Sequence, residues 1–180
     1  MIMTDPVLSS LRQIFRAIKA TGDGALAQLS LEEMLRIPAP EMNSVATIVK
    51  HLRGNMLSRW TDFLTSDGEK TTRDRDGEFE SPASTREEVL AQWEEGWACV
   101  LKALDALTPG DLARTVTIRG QAHSVVEAAH RQLQHYAYHV GQIVLLARWC
   151  RGTQWQTLSI ARGKSKDYSP KGIGGEPSRT

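Results

Sequence analysis

The sequence predicts an all-α protein, a four-helix bundle with a long loop between its second and third helices. Four segments carry apolar residues at helical spacing, breaker-rich stretches separate them, and 180 residues are enough to bury one core. The bundle is expected over residues 1–162, followed by a polar, glycine-rich and basic tail over 163–180.

The first helix is expected over residues 7–29, on a stripe of Leu8, Leu11, Ile14, Phe15, Ile18, Leu26 and Leu29. Gly22 and Gly24 should weaken or bend it, since glycine costs ~1 kcal/mol relative to alanine inside a helix. Pro38 and Pro40 then break the chain. Asn43 or Ser44 caps the second helix, which runs to about residue 64 with Val45, Val49, Leu52, Met56, Trp60 and Phe63 inward. Residues 65–82 form a charged loop longer than bundles ordinarily use, and loops of that length tend to be functional or mobile.

Ser84 or Thr85, followed by Glu87 and Glu88, starts a third helix that continues to about residue 107, where TPGD stops it. The alternating run ARTVTIRG reads as a short strand or extended segment ending at Gly120. The fourth helix spans roughly residues 124–150, and the last dozen residues of the tail are expected to be poorly ordered.

Composition narrows the function. Apolar residues at 41% and charged residues at 24% describe a soluble globular chain. A net charge of +1 supplies no global field for nucleic acid or anionic lipid, so neither is an expected partner. No apolar run reaches the ~18 residues a membrane span needs, and the amino terminus lacks the pattern of a secretory signal. The expected compartment is the cytoplasm. Cys99 and Cys150 lie far apart without CxxC spacing and read as reduced core thiols.

The chemistry is expected from histidines. His135 and His139 are four residues apart in the fourth helix, so they stack on one face. Their stripe, Ala128, Gln132, His135, His139, Gln142 and Leu146, is polar only in its middle, which suits an enclosed polar pocket. The second helix has a matching stripe through Ser44, Ile48, His51, Asn55, Ser58 and Asp62. His51, His135 and His139 together would bind a divalent ion with one position open. A lone histidine beside an apolar face is also common as a satisfied core residue. Residue 136 is Tyr, so the motif is not HExxH and carries no built-in glutamate base.

Around that pocket, Arg131 could hold an anionic substrate group or form a surface salt bridge. Asn55 could orient a ligand or bond to backbone, and Gln142 could support His139. Asp62 and Glu127 are the candidate general bases. His123, in the loop before the fourth helix, and His130 read as surface residues, and Trp60, Trp93 and Trp97 as core. The stretches DGEK at 67–70 and ARGKS at 161–165 are weak anion-binding signals without P-loop spacing.

The segment VKHLRGNMLSRWTDFLTSDGEK, followed by RQLQHYAYHVGQI, resembles the DinB/YfiT-like metalloenzyme superfamily, specifically a subfamily of unknown function. The HLxGN pattern at His51 and the HxxxHxGQI pattern at His135 carry the likeness, which covers nearly the whole chain. It implies a four-helix bundle with His51, His135 and His139 as ligands for a divalent metal, commonly zinc or nickel. It also implies thiol-dependent transferases and isomerases among the relatives, using low-molecular-weight thiols such as bacillithiol or mycothiol, and frequent homodimers.

Two function classes follow. One is a metal-dependent enzyme acting on a small molecule by thiolate transfer or hydrolysis, with the 65–82 loop helping to close the pocket. The other is a non-catalytic protein binding a metal or ligand through the same histidines. Three imidazoles alone suit zinc, nickel, copper or iron.

Overall fold

The computed structural model describes residues 5–80 and 83–167. Its elements are α1 (Pro6–Leu26), α2 (Leu31–Leu35), α3 (Val45–Trp60), α4 (Arg86–Ala106), β1 (Thr115–Ile118), β2 (Gln121–Ser124) and α5 (Val125–Arg151). The protein is an all-α bundle with one small hairpin, and the four long helices fall where the periodicity puts them.

Each long helix starts on a side-chain cap. Asp5 accepts from the Leu8 N–H at 3.0 Å with Pro6 in the first turn, Ser44 caps α3, and Thr85 caps α4. Ser124 and Glu127 form a capping box at α5. Arg12 closes the far end of α4, donating to the carbonyls of Leu104, Asp105 and Leu107 at 2.8–3.1 Å.

The core joins Phe15, Leu52, Met56, Trp60, Trp93, Trp97, Tyr136 and Ile143, all at most 2% exposed. α3 packs mainly on α4 and α1 mainly on α5, while α3 also meets α5. That last contact brings the two histidine stripes together.

Two expectations need correction. The first helix ends at Leu26 and is followed by a separate five-residue helix, α2, capped by Ser30 and Glu33. Within α1 the chain stays helical through Gly22, where the Trp93 ring occupies the space a Cβ would need. The ARTVTIRG run is one arm of an antiparallel hairpin whose second strand contains His123, so His123 is not in a loop. Arg119 (φ 56°) and Gly120 (φ 72°) make its two-residue turn, the left-handed geometry that matches strand twist.

The 65–82 loop is anchored rather than loose over its described part. Gly68 donates its N–H to Thr117 O at 2.8 Å, and Gly68 O accepts from Ser58 Oγ and Arg59. Lys50 donates to the carbonyls of Gly77 and Glu80 at 2.7 and 2.6 Å, holding a single 3-10 turn, Gly77–Phe79, against α3. Residues 81–82 and the tail over 168–180 lie outside the described residues, as does the expectation of disorder there.

Candidate metal centre

His51 from α3 and His135 and His139 from α5 meet at one point. Each offers a ring nitrogen, and these three atoms lie within 4.8 Å of one another. His51 Nε2 and His135 Nε2 are 3.2 Å apart. Two nitrogens bound at ~2.0–2.1 Å to one tetrahedral ion would be separated by roughly 3.3 Å. Among the described residues, no fourth His, Cys, Asp or Glu joins the group.

The outer nitrogens decide the tautomers. His51 Nδ1 lies 2.9 Å from Glu78 Oε2, and His139 Nδ1 lies 2.8 Å from Gln142 Oε1. A ring nitrogen facing a carboxylate or amide oxygen carries the proton, which leaves Nε2 as a lone pair turned inward. Burial, followed by the neighbouring His139 and His51, pushes the pKa of His135 down to about 3. Burial also lowers that of His139. These imidazoles are neutral at physiological pH, the state a metal requires. The donor set therefore fits a metal ion.

Glu78 is the residue sequence reasoning missed. It is 5% exposed and sits in the Gly77–Phe79 turn. Arg73 grips it with Nε and Nη2 at 2.7 and 2.9 Å. Burial opposes its ionisation, but the bonds from Arg73 and then His51 outweigh that and hold its pKa below the usual glutamate value. Gly54, one turn after His51 on α3, makes room for it: a Cβ there would overlap the Glu78 carboxylate. Phe79 stacks on the His51 ring with centroids 5.0 Å apart. The only sequence signal for this support was the unusual length and charge of the loop.

The other candidates divide. Asn55 is buried, accepts from Tyr136 Oη at 3.1 Å, and lines the cleft above the histidines. Tyr136 in turn accepts from Trp60 Nε1 at 2.9 Å, so Asn55 is held by a side chain, not by backbone. Arg131 is exposed and lines the same cleft. Glu127 is bound within its capping box, and Asp62 is exposed just past α3; neither candidate base lines the cleft. His123 is half-buried and His130 exposed, and neither joins the group.

Asp67 of the DGEK stretch is engaged within the chain. Its carboxylate accepts the N–H groups of Glu69, Gly120 and Arg119 at 2.7–2.9 Å. The ARGKS stretch is exposed.

A family model matches residues 3–164 of this chain. The chain belongs to the DUF1572 family. That family is described as protein of unknown function. No curated protein and no solved structure matches the chain. In this DUF1572 protein a concavity of about 740 Å³ opens over the three histidines.

Proposed function

We propose that this protein is a divalent-metal-dependent enzyme of the DinB-like kind, holding zinc or nickel on His51, His135 and His139. The observation that carries the proposal is a three-imidazole group, with the outer nitrogens of His51 and His139 fixed, at the floor of an open cleft. A structural site encloses its ion with four protein ligands, whereas three ligands facing a cleft leave room for substrate. When bound, the ion supplies Lewis acidity that lowers the pKa of a thiol or of water and yields a nucleophile near neutral pH.

The chain's own residues then have separable tasks. Glu78 and Gln142 hold the Nδ1 protons of His51 and His139 and so keep both rings aimed. Arg73 holds Glu78. Asn55 is fixed by Tyr136 at the cleft wall, where its remaining polar atoms can orient a substrate. Arg131 binds an anionic substrate group. The reaction is thiolate transfer from a low-molecular-weight thiol to an electrophile, or hydrolysis of a small substrate. A second copy of the chain is the proposed partner, across the exposed α5 stripe of Tyr138, Leu145 and Trp149. The proposed compartment is the cytoplasm, which two free thiols suit.

Elemental analysis of tag-free protein tests the metal. About one equivalent of zinc or nickel per chain is expected, lost in a variant with all three histidines replaced by alanine. Incubating the loaded protein with low-molecular-weight thiols and an electrophile then tests transfer. A wild type without stoichiometric metal overturns the proposal.

A further inference from the structure

The cleft above the histidines is lined by Arg59, Arg73, Arg75, Arg119 and Arg131, and by no carboxylate among the described residues. Two carboxylates stand behind this wall. Glu69 meets Arg59 at 2.8 Å, Arg119 at 2.9 Å and Arg73 at 3.5 Å, while Glu78 is taken by Arg73 and His51. The side chains of Arg75 and Arg131 have no hydrogen bond or ion pair among the described residues. Five guanidiniums thus line one concavity with only two carboxylates behind them, in a chain whose net charge is only +1.

Charge of one sign in a concave site raises the local concentration of opposite ions. A buried donor says the same thing independently. Arg59 is 5% exposed and lines the cleft, and its Nε lacks a hydrogen-bond partner among the described residues. Buried polar groups are normally satisfied, so unpartnered ones at a cleft wall mark where a ligand completes the bonding.

We infer that the substrate is a small organic oxyanion, its carboxylate or phosphate held by Arg75 and Arg131 while its reacting end faces the three histidines. This rests on the metal-dependent reading above and adds the substrate's chemical class. The guanidinium fork matches two oxygens of a carboxylate or phosphate at once. Arg59, Arg73 and Arg119 are already tied to Glu69 and Glu78, which leaves Arg75 and Arg131 to supply the unspent donors. Phe79, stacked on His51, and Tyr138, edge-on to His139 at 5.0 Å, give the cleft two aromatic walls for the substrate's uncharged body.

The test is calorimetric titration of inorganic phosphate and of succinate, separately, into chelator-stripped protein and into zinc-loaded protein. Saturable binding of at least one anion to both forms is expected. The succinate and phosphate arms tell a carboxylate site from a phosphate site. An R75Q/R131Q variant should bind the preferred anion at least tenfold more weakly, with zinc stoichiometry and thermal midpoint unchanged. An R148Q variant, which removes an exposed charge from the far end of α5, should bind as wild type does. Absence of binding by both anions, or equal weakening in R148Q, overturns the inference. Anion binding that persists in protein unable to take up zinc leaves the oxyanion site standing and removes the metal instead.

Discussion

Glu78 and Gly54 form a complementary pair: one lacks a side chain so that the other's carboxylate can reach His51. Carboxylates behind metal-ligating histidines commonly contribute about 10–100-fold in affinity. Glu78→Gln keeps the shape and a hydrogen bond but loses the charge, so zinc affinity should fall by about tenfold or more, read by competition with a chromophoric chelator. Gly54→Ala should produce a comparable loss by displacing Glu78, with helical circular dichroism unchanged. Glu78→Ala is a harsher change, because it leaves the Arg73 guanidinium, whose side chain is 4% exposed, with only Glu69 at 3.5 Å as a counter-charge. A stability loss of about 3 kcal/mol or more in urea unfolding is expected for it.

Much of the site was legible from residue spacing alone. His135 and His139 are picked out by the i, i+4 rule, and His51 by a polar stripe that runs beside the apolar face of the second helix. Glu78 was not legible, because a loop imposes no period and its spacing from His51 carries no direction. Its position depends on Lys50, Arg73 and a gap at Gly54, which only the folded chain assembles.

At the scale of elements, periodicity located the four long helices because each buries a continuous apolar stripe. It missed α2, which at five residues is barely longer than one turn. It also missed β2, where Gln121, Ala122, His123 and Ser124 run from exposed to half-buried without alternating. The hairpin exists because its turn is held from outside. Asp67 accepts N–H groups from Glu69, Gly120 and Arg119, and these bonds lower its pKa from 3.8 to about 2. A carboxyl with a lowered folded-state pKa stabilises fully above its unfolded value and loses that contribution as pH falls through the folded one. The stability difference between wild type and Asp67→Asn should therefore be constant above about pH 5 and shrink between about pH 4 and 2. Chemical unfolding across that range measures it, and a difference that grows on acidification would contradict the assignment.

At the scale of the molecule, the histidines come from two helices, with His51 and His135 lying 84 positions apart in the chain. An ion there cross-links α3 to α5 and stabilises only the folded state. At free zinc a thousand times the dissociation constant, linkage adds about 4 kcal/mol. The thermal midpoint should rise with zinc in wild type and stay fixed in the triple-alanine variant. Among the described residues, no helix is long and apolar enough to cross a membrane.

The docking of the charged loop onto the hairpin has a mechanical consequence. Asp67 and Gly68 are clamped to residues 117–120, and a few positions later the same strand of chain delivers the carboxylate that steadies His51. The hairpin is thus a remote tether for the ion's surroundings. A nick or insertion at its tip, though it removes no coordinating group, should slacken that support and speed the release of bound metal.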